Sequence, residues 1–208
     1  MVTTDFSLVR LFILGLLDSR PRYGYEIVAV AERWAVHRWG GISIGSIYHS
    51  LGKLAKEGHV VQVKVEKPGN RPERQVWQIT ASGRALARGY VEYGLSSLNF
   101  EGREVDMALA FACLVSPEIR VDRLNQRLAP VAERLNQLRE FHQGYETCES
   151  DDREEWVEYR RLKREHPWIA ASVYHGLGRL EFEHAWTLKL INEIGAWPTS
   201  PVLSEVEN

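Results

Sequence analysis

The sequence has few cysteines, no long apolar run and little net charge, and each shortage excludes a class of protein. The two cysteines, Cys113 and Cys148, give no disulfide framework, and without a CxxC pair or a Cys/His cluster they predict no zinc site. The apolar stretch 11–17 is too short to span a bilayer and lacks the flanking features of a signal peptide. We therefore expect a cytoplasmic protein that has no membrane segment, metal or cofactor.

The small net charge of −2 conceals two halves of opposite sign. Residues 1–90 hold 13 Lys and Arg against 7 Asp and Glu, a balance of +6, and residues 91–208 hold 13 against 21, a balance of −8. Such asymmetry is typical of a basic module that meets a polyanion and an acidic module that meets water or another subunit. Simple drift in composition between two domains is the alternative explanation.

The predicted elements change in kind near residue 98. Before it, apolar periodicity predicts helices over 5–19, 23–39 and 43–57, strands over 59–67 and 74–79, and a helix from 81 toward 98. After it, the pattern predicts only helices, over 104–115, 117–145, 156–163 and 168–194. The fold class is therefore mainly α. We expect an N-terminal winged helix-turn-helix (three helices, a β-hairpin wing and a fourth helix) at 1–98, and an all-helical C-terminal domain with long paired helices at 99–208.

Residues 41–45 can be interpreted in two ways. Gly-Ile-Ser-Ile-Gly matches the Gly-x-Ser-x-Gly nucleophile elbow of serine hydrolases, in which a strand precedes the serine. Here a helical segment precedes Ser43, and none of the seven histidines stands in a recognisable relation to it. The alternative makes Ser43 the N-cap of a helix that buries Ile47, Leu51 and Leu54. We favour the cap and expect no catalytic residue.

The opposite face of this helix is polar and basic. It consists of Gly45, Ser46, His49, Lys53 and Lys56. Glycine lets a backbone approach closely, serine and histidine can hydrogen-bond to base edges or phosphates, and lysine supplies positive charge. These residues predict a recognition helix for a DNA major groove.

Several short motifs follow one another in a fixed order across residues 8–90. They are Gly15-Leu16-Leu17, Tyr23-Gly24-Tyr25-Glu26, Gly45-Ser46-Ile47-Tyr48, the segment from Leu51 to Gly58, and Arg71-Pro72 followed by the segment from Ile79 to Arg84. In this order they resemble the PadR family of bacterial transcriptional regulators, which are winged-helix homodimers. The resemblance implies two recognition helices in successive major grooves of a pseudo-palindromic operator. His49 stands where the family usually has proline, so the operator sequence cannot be carried over.

The resemblance also implies which residues meet DNA and which region dimerises. The expected DNA-binding residues are Ser43, Ser46, Tyr48, His49, Lys53, Lys67, Asn70, Arg71 and Arg74. Tyr48 could instead pack in the core, and Arg71 could simply face water. In the C-terminal region, 3,4 spacing independently indicates paired helices, and the expected interface residues are Leu124, Leu128, Leu135, Leu138, Leu177, Leu180, Leu188 and Ile191.

Seven tryptophans are many for a chain of this length. A flat pocket for a small aromatic effector could be lined by Trp34, Trp39, Trp156, Trp168 and Trp186, although most tryptophans simply occupy cores or interfaces. The function that we expect is a homodimeric repressor that a small molecule releases from double-stranded DNA. The alternatives are a winged-helix assembly module that does not bind DNA and a serine hydrolase acting through Ser43.

Overall fold

Helices make up most of the chain in a computed structural model that describes residues 6–66, 74–99, 103–148, 154–166 and 168–199. In chain order its elements are α1 (Leu8–Ser19), β1 (Arg22–Tyr23), α2 (Gly24–Arg33), α3 (Val36–Trp39), α4 (Ile44–Lys56), β2 (Val60–Glu66), β3 (Arg74–Ile79), α5 (Ala81–Ser96), α6 (Arg103–Ala110), α7 (Pro117–Thr147), α8 (Val157–Glu165) and α9 (Trp168–Ile194). Short 3-10 turns lie at Ala112–Leu114 and Glu154–Trp156. The mainly α fold class, a winged helix followed by a helical region, is confirmed.

The chain divides into two units. The first comprises Met1–Arg123 and Ile194–Asn208, and the second comprises Leu124–Glu193. The winged helix-turn-helix lies within the first unit. The boundary that we expect between residues 98 and 99 stays a prediction. None of the helices in the described part of the chain has the length and apolar character that a bilayer crossing requires.

Helix α1 is the centre of the first unit. Its residues from Leu11 to Leu17 are buried, and α4, α5, α6 and β3 all pack against it. A helix that is apolar on nearly every side must be covered on nearly every side, which explains this central position. Since α4 and β3 both pack against α1, helix α4 and the returning strand of the hairpin share one support.

The sheet has the strand order β1-β3-β2, and both pairings are antiparallel. Val60 pairs with Ile79, Glu66 pairs with Arg74, and the register shifts once between Gln62 and Lys64. The predicted hairpin is therefore confirmed. Strand β1 was not predicted, because two residues are too few to establish an alternating pattern.

The helix that we predicted over 23–39 is in fact two helices. Ala35 has φ +50° and ends the run between α2 and α3. The apolar period continues across this break because both pieces bury residues on the same side, Ile27 and Val30 in α2 and Val36 in α3. In the same way, the helix predicted over 104–115 is α6 followed by a 3-10 turn.

A buried arginine joins three segments of the first unit. Arg120, in the first turns of α7, has no exposed surface, and its Nε donates to the carbonyls of Ala112 and Val115 at 2.8 and 3.1 Å. Its Nη1 and Nη2 donate to the carbonyls of Trp197 and Pro198 at 2.9 and 3.1 Å. The guanidinium therefore fixes the chain that follows α9 to the beginning of α7.

The second unit contains an antiparallel pair of long helices, α7 and α9. Arg127 pairs with Glu183 at 2.6 Å, and Arg139 pairs with Glu181 at 2.9 Å. Farther along α7, the ring of His142 meets that of Tyr174, with 4.5 Å between centroids. Because the partners' numbers fall along α9 as they rise along α7, the helices run in opposite directions. The expected pairing of the long helices is confirmed.

Candidate nucleic-acid interface

Ser43 begins helix α4 with a reciprocal cap. Its Oγ accepts a hydrogen bond from the amide of Ser46 at 3.1 Å, and its own amide donates to Ser46 Oγ at 3.0 Å. The Ser46 hydroxyl donates in turn to the carbonyl of Ser43 at 2.6 Å. Each serine thus satisfies an amide that would otherwise be left open at the helix end. The predicted N-cap is confirmed, and the Ser46 hydroxyl is engaged within the cap.

The nucleophile-elbow interpretation of Ser43 does not fit its surroundings. An elbow requires a strand immediately before the serine. Here α3 ends at Trp39, and an irregular segment leads from it to Ser43. The hydroxyl of Ser43 also serves the helix amide, so the geometry is that of a capping residue.

Helix α4 has one fully buried face and one open face. Ile47, Leu51 and Leu54 are at most 1% exposed, as the apolar spacing predicted. The open face presents the exposed residues Gly45, Tyr48, His49, Gly52, Lys53 and Lys56, with Ser46 half-buried. Three of these carry or can carry positive charge, which is the composition that a helix directed at DNA needs.

Tyr48 lies where α4 meets the beginning of α2. Its ring is half-exposed, and its Cε1 is 2.9 Å from the place that a Cβ on Gly24 would occupy. Only glycine permits this approach, because a side chain at position 24 would displace the ring. Tyr48 is therefore a surface residue held by a close contact, and it does not belong to the core.

A pair of stacked tyrosines, Tyr23 and Tyr25, lies at the beginning of α2. The rings of Tyr23 and Tyr25 stack at 5.3 Å with an interplanar angle of 13°, and Tyr25 is 50% exposed. Glu26 fixes the helix start, since its Oε2 accepts a hydrogen bond from the amide of Tyr23 at 2.6 Å. Our sequence reasoning did not name Tyr25 as a functional residue. The Tyr-Gly-Tyr-Glu motif was its only signal.

The end of α4 is tied to α1 and α5. Glu57 forms an ion pair with Arg10 of α1. The hydroxyl of Thr80 donates to the carbonyls of Gly58 and His59 at 2.8 and 3.0 Å and also caps α5 by accepting from the amide of Gly83. Helix α4 is thus fixed at both ends, by its own cap and by this junction.

His59 belongs to the same junction and has a perturbed acidity. Its Nδ1 lies 3.2 Å from Ser82 Oγ, and its Nε2 lies 3.8 Å from Glu57. Burial first, and then the positive charge of Arg10, lower the pKa of His59 below its ordinary value. The neutral imidazole is therefore the form that the folded junction favours.

The tip of the wing lies outside the described residues. Lys67, Asn70 and Arg71 fall there, and for Arg74 only the backbone position at the start of β3 is described. Their expected DNA contacts stay predictions, as do those of Ser43, Ser46, Tyr48, His49 and Lys53.

The five tryptophans expected to line an effector pocket are divided between the units. In the first unit, Trp34 packs against Phe12 and Phe111 in the core, and its carbonyl accepts a hydrogen bond from Trp39 Nε1 at 3.0 Å. In the second unit, Trp156 packs edge-on against Tyr159, Trp168 is 65% exposed and Trp186 is half-buried. A shared pocket stays a prediction.

The leucines and the isoleucine expected at a dimer interface differ in exposure. Four of them are buried within the chain, at 9% exposure or less: Leu124, Leu135, Leu177 and Leu180. Leu128, Leu138 and Ile191 are half-buried, and Leu188 is 42% exposed. Their contact with a second subunit stays a prediction, and Leu188 has the most surface available for it.

Known proteins resemble this chain at two levels. A sequence model of the Transcriptional regulator PadR-like family matches residues 13–88. In structure, Bacillus subtilis PadR, solved in complex with operator DNA, is 18% identical, with 90% of this chain and 99% of PadR covered and a TM-score of 0.40. The smu.1604c protein of Streptococcus mutans UA159 is 19% identical, with 88% and 98% covered and a TM-score of 0.37. Structural likenesses of this strength carry no functional argument, and a search of curated proteins gives no match.

The matched segment coincides with the winged helix described above. It starts within α1, contains α2, α3, the capped helix α4 and the strands β2 and β3, and ends within α5. The motifs that carried the resemblance in the sequence fall in the same segment. Residues 13–88 are therefore similar to the Transcriptional regulator PadR-like family, and the match is confined to this winged-helix segment.

Proposed function

We propose that this protein is a transcriptional regulator that binds double-stranded DNA in the cytoplasm as a homodimer, by inserting one α4 helix per subunit into the major groove. The observation that carries the proposal is the contrast between the two faces of α4. Its apolar face is at most 1% exposed at Ile47, Leu51 and Leu54, so the helix cannot turn away from its support. Its open face holds His49, Lys53 and Lys56, which are exposed.

The residues of the open face have different roles in this proposal. His49 is placed to read base edges, because it lies in the middle of the exposed face. Lys53 supplies a contact to a DNA phosphate. Tyr48, held against Gly24, presents its hydroxyl to the DNA backbone. The Ser43 and Ser46 hydroxyls are engaged in the cap, so they act by fixing the helix end. Lys67, Asn70, Arg71 and Arg74 of the wing grip the DNA beside it.

The proposed dimer forms through the open face of α9. The exposed residues Ala171, Tyr174, Gly178, Phe182, Ala185 and Leu188 follow one another at intervals of three or four and lie on one side of the helix. Phe182 and Tyr174 are 66% and 56% exposed, a large apolar area for a soluble surface. A second copy of the same helix would cover these rings, with alanine and glycine allowing close approach.

Repression and its release by a small aromatic effector complete the proposal. Two recognition helices held by one dimer would read a pseudo-palindromic site, and a ligand that changes their spacing would release it. Such a ligand could stack on the exposed ring of Trp168 or on the half-buried ring of Trp186, both in the second unit.

Fluorescence anisotropy on DNA from upstream of the protein's own gene tests this function, with a scrambled sequence of equal length as the control. The proposal predicts tight binding that weakens steeply with salt and prefers the upstream sequence. Equal binding to both sequences would contradict sequence-specific recognition. A dimer without salt-dependent affinity for either DNA would favour the assembly-module alternative.

A further inference from the structure

A small, positively charged cleft lies between β1 and α2, beside the tyrosines described above. It has a volume of about 220 Å³, and its lining includes Arg20, Arg22, Arg33, Tyr25 and Glu26. Clefts that bind drug-sized molecules usually enclose roughly 300–1,000 Å³, so this one suits a smaller group. Tyr25 belongs both to the cleft and to the stacked pair that adjoins Gly24 and Tyr48.

The charge of the cleft is unbalanced toward the positive. Three guanidinium groups face one carboxylate, that of Glu26. This carboxylate is already engaged, because it accepts a hydrogen bond from the amide of Tyr23 at 2.6 Å and pairs with Arg20 at 3.1 Å. The lining therefore keeps a formal charge of +2, which favours an anion.

The deepest of the three arginines is rigidly held. Arg22 is 2% exposed, and it donates through Nε to the carbonyl of Leu16 at 3.1 Å and through Nη2 to Ser19 Oγ at 3.2 Å. A guanidinium fixed in this way contributes its positive charge to the wall of the cleft, while its Nε and Nη2 hydrogen bonds stay within the protein. Arg20 and Arg33, both exposed, stand at the rim, where they can close on a bound group.

We infer that this cleft is an oxyanion site, which takes one phosphate or carboxylate group against Arg20 and Arg33 at the rim, with the buried charge of Arg22 behind them. Guanidinium forks match the paired oxygens of these groups and bind them by charge-assisted hydrogen bonds. The oxyanion has two possible sources, a phosphate of the DNA backbone or a free anion. The DNA source rests on the proposed function. If both sources use the cleft, a free oxyanion competes directly with DNA.

The free anion is tested with inorganic phosphate and the full-length protein without DNA. Two-dimensional ¹H–¹⁵N spectra are recorded while phosphate is added at constant pH. Chloride is reduced in step with the added phosphate, so that the ionic strength also stays constant. We expect saturable shifts centred on the amides of Tyr25, Ala29 and Arg33. Arg33→Gln, at the exposed rim, should abolish saturation while the protein stays folded, and Arg20→Gln provides a second rim variant. Arg88→Gln, an exposed site on α5 with the same loss of charge, should leave the titration unchanged.

The DNA source is tested by anisotropy with the same variants. If a backbone phosphate occupies the cleft, Arg33→Gln should weaken binding to the preferred and the scrambled DNA alike, by about tenfold, and inorganic phosphate should compete at constant ionic strength. Arg88→Gln should bind as the wild type does.

The outcomes separate this inference from the proposed function. Saturable phosphate shifts that depend on Arg33 support the site even if the protein binds no DNA. Unchanged DNA affinity together with such shifts identifies a free anion as the occupant. Normal DNA binding by Arg33→Gln, together with shifts that do not saturate or that persist in this variant, would overturn the site and leave the proposed function standing.

Discussion

The ring of Tyr48 lies against the backbone of Gly24, with Cε1 only 2.9 Å from where a Cβ on that residue would stand. The contact joins the beginning of α2 to the open face of α4. A Cβ at position 24 would collide with the ring. The orientation of the Tyr48 side chain therefore depends on glycine at position 24. Gly24 lies in the chain between Tyr23 and Tyr25, whose rings stack, and Tyr25 also lines the cleft that contains three arginines.

Gly24→Ala should therefore impair DNA binding more than folding. The added methyl group pushes the Tyr48 ring aside, and we expect an affinity loss of about tenfold, the effect of one lost hydrogen bond to a charged group. The free energy of unfolding should change by less than about 1 kcal/mol, because alanine favours the helix more than glycine does. Anisotropy and urea denaturation measure the two effects. Tyr48→Phe keeps the ring and removes the hydroxyl. It therefore separates the effect of the ring's position from the effect of the hydroxyl's hydrogen bond.

Arg120→Met should destabilise the protein strongly. The substitution removes the guanidinium donor from the carbonyls of Ala112 and Val115 and frees the chain after α9, and we expect a loss of about 2–4 kcal/mol in urea denaturation. Limited proteolysis should then cut near Trp197. The control is Arg123→Met, which removes a partly exposed ion pair with Glu92 at 2.7 Å and should cost only about 0–1 kcal/mol. Equal losses in the two variants would contradict the role of Arg120.

Stability should fall with acid partly through His59. Its folded-state pKa lies below the ordinary value of 6.5, so the unfolded chain binds the proton more readily than the folded one. The contribution is fully present above pH 6.5 and decreases as pH falls through the folded pKa. His59→Gln should flatten the decline in the urea midpoint below that pH. Parallel curves for the two proteins would refute the assignment.

Phe182→Lys should disrupt the proposed dimer. The ring is 66% exposed in the single chain, and a lysine there cannot be buried against a second copy. We expect the dissociation constant from sedimentation to rise by about a hundredfold or more, since each subunit loses one buried aromatic ring. Val157→Lys on α8, at a residue 55% exposed, is the matched control and should leave the dimer intact. A monomeric wild type would contradict the interface itself.

The sequence was most informative where a short pattern of residues is compatible with only one local structure. The spacing of Ile47, Leu51 and Leu54 predicted a helix with one buried face, and Ser43 was the predicted cap before it. The hairpin followed from an alternating pattern on both sides of a turn. In each case, neighbouring residues contain the whole signal.

Other features depend on contacts between distant residues or on unusual backbone angles. Nothing in the sequence marks Ala35 as a residue with positive φ, so the break between α2 and α3 was missed. The arginine cleft draws on a loop, a strand and a helix, and Arg120 meets carbonyls more than 70 positions away. The leucine stripes of α7 and α9 were ambiguous for another reason, because the same 3,4 spacing serves pairing within one chain and pairing between two.

The salt dependence of DNA binding by Lys53→Gln tests the central claim, that the open face of α4 meets the DNA backbone and grooves. The slope of the logarithm of the affinity against the logarithm of the salt concentration should be shallower than that of the wild type by about 0.9 for each phosphate contact removed. Lys189→Gln, an exposed site on α9, should reproduce the wild-type slope. A Lys53→Gln line parallel to that of the wild type would place the DNA elsewhere on the protein.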